Sequence, residues 1–434
     1  MSQTATLPNA LGNAQETRKE CPECKAGLPH TPGYKSWCPS CNWNLADEEK
    51  REPANRFEKV MLQLGSKMSE GLFREVQGRA SSLKRKFTPA KLLAYAIATV
   101  VHGVTLIFVA AAAWLYYVAV TEGMVSCYIW GTVVALLAWV SLPKWRKKPK
   151  KQHLLDRNEF STLYKLVDDL ADSMGTKRVD GLVFSHDYNA YFYSAGLGKK
   201  YIGVGVPLLS VLNGQEKVAL LAHETAHGAN GDSNRGFYVS QAYENLFTWA
   251  EMIYPVSLFG NGLLGVLLMP VLLLMRLFAY SLIWTGMGLV HLLFRDSQRA
   301  EYYADLLAMQ QSGREAMESM LQKLFWTQTF QYTIHKCYFN KHEDLVSLLR
   351  SEVANIPDTE IERLRRLSLR EDSRLDVTHP PSAYRIELMK SVESTPRIEL
   401  SPDDERALEK ELSALYAKTH NKWMDIVAEG WRVW

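Results

Sequence analysis

At 434 residues the chain is long enough for roughly two or three folding units, because a single core stops growing well short of that length. Its 50 basic and 47 acidic side chains leave a formal net charge of +3, a total that says little about nucleic acid or any acidic partner, and nucleic acid is not an expected one. The polar stretch 1–19 lacks the apolar core of a secretory signal, so a flexible, cytoplasmic N-terminus is predicted.

Four of the six cysteines form two knuckles, Cys21-Pro-Glu-Cys24 and Cys38-Pro-Ser-Cys41, separated by a spacer of 13 residues. Four thiolates complete a tetrahedral shell, and a segment as short as 20–45 has too little core to fold without such a clip. A zinc ribbon with a structural zinc is predicted, in preference to a redox dithiol pair, and its docking partner is not legible. Cys127 and Cys337 read as isolated buried residues.

Residues 46–91 alternate charged and apolar positions and predict a helical linker. The stretches Leu92–Val120 and Gly123–Pro143 contain no Asp, Glu, Lys or Arg, and each is long enough to span a bilayer. With only Thr121 and Glu122 between them, a transmembrane hairpin over 92–143 is predicted. Its outer ends are basic, at Lys84, Arg85 and Lys86 and again from Lys144 to Lys151, so both face the cytoplasm by the positive-inside tendency. The lipid bilayer is thus a predicted partner, and a multi-pass protein of the cell's inner or plasma membrane is predicted. A second apolar region, 252–294, turns either near Gly260–Gly262 or near Pro270–Arg276. Two crossings there would return the chain to the cytoplasm. Residues 391–434 predict a C-terminal helical segment.

The chemistry concentrates in Gln215–His227, an apolar-periodic helix with Asn213 as N-cap and Glu216 completing a capping box. It contains His223-Glu224-Thr225-Ala226-His227. Histidines at i and i+4 share one helical face and can share a metal, and Glu224 stands beside them as general base. The bland alternative is a surface helix with two histidines. A catalytic zinc needs a third protein ligand, and the residue 19 positions beyond His227 is Leu246, while a metzincin histidine would fall at Ser233. Neither can serve. Further on, Arg295–Ala308 places Glu301 and Asp305 one turn apart, so Glu301 is the third-ligand candidate. Asp305 is a candidate to fix the tautomer of a ligating histidine, unless the two acids are merely a solvated pair.

In this order, His-Glu-Thr-Ala-His-Gly-Ala-Asn-Gly-Asp, Glu-Tyr-Tyr-Ala-Asp and Thr-His-Pro-Pro-Ser-Ala-Tyr-Arg-Ile resemble the HtpX-like family of membrane metallopeptidases, relatives of the CAAX prenyl protease. The resemblance covers about residues 150–390. It implies a mainly α membrane protein with a gluzincin-like metallopeptidase domain over 152–390, a small β element, and Glu301 as third zinc ligand. It also implies that Asn189-Ala190 and the strand Tyr201–Val206 provide an edge strand ahead of the metal helix, able to pair with an extended peptide. His379 and Arg385 fall in a segment that approaches the active site in the family, where either could donate hydrogen bonds to a developing oxyanion. The ribbon and Arg276 depart from the family pattern.

These readings predict a zinc metalloendopeptidase with one catalytic and one structural zinc, acting on protein or peptide substrates such as misfolded membrane proteins. The alternative is a catalytically silent membrane adaptor whose ribbon binds a protein or nucleic acid. Retention of His223, Glu224, His227 and Glu301 disfavours it.

Overall fold

The structure is a computed structural model that describes residues 20–29, 31, 33–45, 56–78, 88–144, 147–196, 198–230, 232–253, 269–342, 344–370 and 380–430. In chain order its elements are α1 (Arg56–Gln77), α2 (Pro89–Glu122), α3 (Val125–Ser141), α4 (Ser161–Ser173), β1 (Gly181–Ser185), β2 (Ala190–Ala195), β3 (Lys199–Gly205), α5 (Val206–Val211), α6 (Gly214–Asn230), α7 (Asp232–Ile253), α8 (Met269–Ser312), α9 (Arg314–Lys323), α10 (Thr327–Phe339), α11 (Leu345–Ala354), α12 (Asp358–Arg370), α13 (Ser382–Lys390), α14 (Pro402–Ser413) and α15 (Tyr416–Ala428). The fold is mainly helical with one small sheet.

Helix α2 starts where the Thr88 hydroxyl accepts the Lys91 amide at 3.2 Å, with Pro89 in the first turn. It ends at Gly123, whose φ of 67° suits a residue without Cβ, and the chain reverses into α3. The hairpin predicted around Thr121 and Glu122 is therefore present. Helices α2 and α8 are long and apolar enough to cross a membrane, and only 22% of each apolar window is buried. Leu106, Ile107, Trp114, Leu273, Leu274 and Phe278 all face outward, a surface that water disfavours and lipid accepts.

Helix α7 packs against both, through a seam of Ala94, Ala98 and Val101 on α2, Val239, Ala242 and Leu246 on α7, and Leu289 on α8. Leu246 is a packing residue in that seam. The end of α3 is tied in as well, since Asn245 Nδ2 donates to the Ser141 carbonyl at 2.9 Å and Trp249 Nε1 to its hydroxyl at 2.7 Å.

Two expectations need revision here. Helix α8 runs unbroken from Met269 to Ser312, so no turn occurs at Pro270–Arg276, while Gly260–Gly262 lie outside the described residues. No proline stands inside α8 after Pro270, and one rod thus joins the apolar surface to the core. Nor is α1 only a linker: Leu72 and Val76 are buried in the main core, and Phe73 stacks on Tyr384 with ring centres 4.6 Å apart.

The sheet order is β1-β3-β2, with β1 parallel and β2 antiparallel to β3. The strand beginning at Tyr201 is therefore central, not an edge. A tight turn at Gly196 and Gly198, both at positive φ, folds β3 back beside β2, and β1 takes its other side. The edges are β1, where Leu154 bridges to Val183, and β2, and among the described residues no strand pairs with the outer side of β2. Gly205 is required by close approach, since a Cβ there would sit 1.9 Å from the Asn189 carbonyl oxygen.

The main core draws on α4, the sheet, α6, α8, α9 and α10, and also on Leu408, Leu412 and Leu415 of the C-terminal segment. The cysteine cluster sits against α12. Trp37 Nε1 donates to the Thr359 carbonyl at 3.2 Å, Arg363 to that of Leu45 at 3.1 Å, and the Arg366 guanidinium lies 5.0 Å from the Trp37 ring centre.

Candidate metal centre and active-site cleft

Helix α6 begins with the reciprocal cap its sequence predicts: the Glu216 amide donates to Asn213 Oδ1 at 2.8 Å and the Asn213 amide to Glu216 Oε2 at 2.7 Å. Lys323 also reaches Glu216 Oε2, at 2.6 Å, anchoring the helix to α9. Two turns further on, His223 and His227 stand on one face, and α8 brings Glu301 opposite them.

The three donors converge. His223 Nε2 and His227 Nε2 are 3.2 Å apart, and the Glu301 carboxylate lies 3.5 Å from the first and 3.6 Å from the second. A tetrahedral metal with nitrogen and oxygen ligands at about 2.0–2.1 Å sets its ligands about 3.3 Å apart, close to these separations, that of His223 being to Glu301 Oε2 and that of His227 to Oε1, so the three side chains suit one shared metal. The same test suits the cysteines. Cys21 Sγ lies 3.6 Å from Cys41 Sγ and Cys24 Sγ 3.4 Å from Cys38 Sγ, near the roughly 3.8 Å that zinc–sulfur bonds of about 2.3 Å imply. Within each group all donor atoms fall within 4.8 Å of one another.

The buried charges behind the histidine face are matched in series. Arg385 donates to both oxygens of Asp305, Nε at 2.8 Å and Nη2 at 2.6 Å, and Asp305 Oδ1 faces Nδ1 of His223 at 3.0 Å. Burial opposes a charged imidazole at His223, but the Asp305 and Glu301 carboxylates outweigh it and push its pKa up to about 10. Burial also opposes the Asp305 carboxylate, yet the Arg385 guanidinium beside it holds it down to about 2. Arg385 is buried in turn, and Asp305 keeps it charged.

A cleft of about 490 Å³ opens over this centre, bordered by His223, Glu224 and Arg385 on one side and by Asn189-Ala190 at the start of β2 on another. Glu224 thus reaches the space beside the metal donors. Of the residues singled out from sequence, the structure brings His223, Glu224, His227, Glu301, Asp305 and Arg385 together and the four cysteines together elsewhere. His379 lies outside the described residues. Sequence reasoning missed the rest of the cleft wall, which includes Tyr188, Leu220, Met320, Phe330 and Trp423. Only Leu220, one turn before Glu224 on the same face, carried a local signal.

A helix bearing two histidines and a glutamate, completed by a glutamate from a second helix under a peptide-sized cleft, has the architecture of a metallopeptidase. Residues 158–393, more than half of the chain, match the model of Peptidase family M48, and the chain belongs to that family.

Among its relatives, the protease HtpX homolog of Pyrobaculum islandicum is 22% identical over 346 residues, covering 72% of this chain and 91% of that protein. The protease HtpX homolog of Pyrobaculum calidifontis is 24% identical over 248 residues, 52% of this chain and 67% of the relative. Protease HtpX of Alcanivorax borkumensis is 25% identical over 201 residues, 45% and 65% of the two chains. No solved structure matches the chain at comparable significance. The protein is an HtpX-like M48 metallopeptidase that carries a four-cysteine cluster ahead of the family segment and, among the described residues, two helices beyond it.

Proposed function

We propose that the protein is a multi-pass membrane zinc endopeptidase, with His223, His227 and Glu301 holding the catalytic zinc and the four cysteines a structural one. The observation that carries this reading is the fit of three side chains from two helices to one shared metal, with Glu224 beside it in the cleft. A zinc ion held there supplies a Lewis acid that polarises the scissile carbonyl and acidifies water.

The chain's own residues do the remainder. Glu224 takes a proton from the attacking water and returns it to the leaving amine, the exchange expected of a carboxylate within reach of both. Asp305 accepts from Nδ1 of His223 and so leaves Nε2 free as a ligand atom, and Arg385 holds Asp305 charged and oriented. Arg385 thereby acts through Asp305, as a positioning residue, while His379 remains the candidate donor to the oxyanion. The start of β2 borders the cleft, and among the described residues no strand pairs with its outer side, so a substrate strand can add there by main-chain hydrogen bonds that tolerate varied sequence.

One ion pair supports an orientation. Lys91, at the start of α2, meets Asp296 of α8 at 3.3 Å, and Glu301 lies about 7.5 Å further along the helix at 1.5 Å per residue. The metal centre then stands just clear of the bilayer, on the basic, cytoplasmic side. Substrates are membrane or misfolded proteins with chain exposed near that surface. The ribbon over 20–45, the hairpin over 92–143 and the peptidase domain over 152–390 are the working units.

Metal analysis of the detergent-purified protein tests the ligand set. Wild type should hold two zinc ions per chain and His223→Ala or Glu301→Gln one. Full zinc in both variants would remove these residues from the site.

A further inference from the structure

The cleft has two unlike walls. One is polar and includes the metal donor His223, Glu224 and Arg385. The other is apolar, and three of its aromatic side chains come from separate parts of the chain: Tyr188 from the loop before β2, Phe330 from α10 and Trp423 from α15.

The three rings form a continuous surface. Tyr188 stacks on Phe330 with centres 5.5 Å apart, and Phe330 meets Trp423 edge to face at 5.7 Å. Their polar atoms are turned away into backbone partners, Tyr188 Oη donating to the Lys323 carbonyl at 2.9 Å and Trp423 Nε1 to that of His186 at 2.8 Å. The polar atoms of these rings are therefore already engaged, while Asp187, Asn189, Thr327 and Gln331 also line the cleft, and the rings are held in place by their contacts, so binding costs little side-chain entropy. Leu220 and Met320 complete the wall, both buried.

We infer that this wall is a specificity pocket that takes a bulky apolar side chain, aromatic above all, from the substrate residue supplying the leaving amine. The inference rests on the peptidase reading for its placement. Leu220 lies one turn before Glu224 on the same face of α6, so the pocket adjoins the side on which Glu224 hands back its proton. Trp423 lies beyond the family segment, which ends at residue 393, so this chain's C-terminal helix sets the outer limit of its own pocket.

The test is binding of two peptide hydroxamates, identical except for a phenylalanine or a glycine next to the metal-chelating group, to the zinc-loaded full chain. A phenylalanine preference of about 10- to 200-fold is the range a hydrophobic pocket supplies. Wild type should show at least the lower figure. Trp423→Ala should cut the preference several-fold and Trp423→Phe should restore most of it, while the weak binding of the glycine compound stays the same. Equal binding of the two compounds by wild type, or binding of neither, overturns the pocket, as does an unchanged preference in Trp423→Ala. Because binding is read without turnover, a selective protein that hydrolyses nothing would sink the peptidase reading and leave the pocket standing.

Discussion

Arg385 grips Asp305 through two parallel hydrogen bonds of 2.8 and 2.6 Å, and the same carboxylate faces Nδ1 of His223 at 3.0 Å. All three side chains are buried. Removing one partner of such a pair strands the other charge, at a cost of about 3–5 kcal/mol. Thermal unfolding of Arg385→Met should show a loss of that size. Asp305→Asn should also weaken zinc binding by about 10- to 100-fold, measured by competition with a chromophoric chelator. Unchanged zinc affinity would mean that Asp305 does not orient His223.

The same pair gives stability an acid limb. The folded-state pKa of Asp305, about 2, lies below that of an unfolded aspartate, near 3.9. Its contribution is therefore complete above about pH 4 and lost as pH falls through about 2, with a pH-dependent part on the order of 2 kcal/mol. Urea unfolding should show the gap between wild type and Asp305→Asn narrowing below pH 4. A gap independent of pH would contradict the depressed pKa.

Metal in the cysteine cluster should be felt on α12. Trp37 is 2% exposed and its indole is bonded to the Thr359 carbonyl, so a ribbon that loses its metal loses this contact. Cys24→Ser with Cys41→Ser should drop the zinc content by one ion per chain and raise amide exchange across residues 358–370. Protection that survives the double change would show that the ribbon docks without metal.

A methyl group at Gly205 has nowhere to go, because the Asn189 and Asp187 carbonyl oxygens would lie 1.9 and 2.4 Å from it. Gly205→Ala should therefore shift the 187–189 loop and cost at least about 2 kcal/mol, as overpacking against backbone does. The loop borders the cleft, so kcat/KM should fall with it. A variant as stable as wild type would mean that the approach relaxes freely.

How much of this was legible in the sequence depended on range. The i, i+4 histidines, the Asn213–Glu216 cap and the reversal between the two apolar stretches are local patterns, although the reversal falls at Gly123, just past the Thr121 and Glu122 where it was expected. Glu301 and Asp305 were legible as a pair one turn apart, although their meeting with His223 needed the family resemblance or the fold. The continuity of α8 was hidden because its composition changes where its surroundings change from apolar surface to protein core, although no proline or glycine breaks it between Gly288 and Gly313. The position of β2 as an edge depended on which strands pair, which turn residues alone do not dictate. The ribbon's seat on α12 and the Tyr188–Phe330–Trp423 wall join residues far apart in sequence, and no periodicity records such meetings.

The most direct test of the central claim is cleavage of unfolded casein by detergent-purified wild type and Glu224→Gln, with zinc measured in both. The account predicts cleavage by wild type alone, with two zinc ions retained in the variant, because the carboxamide spares the metal and cannot take the proton. Equal cleavage by the two proteins would contradict Glu224 as the base and the assigned centre as the source of activity.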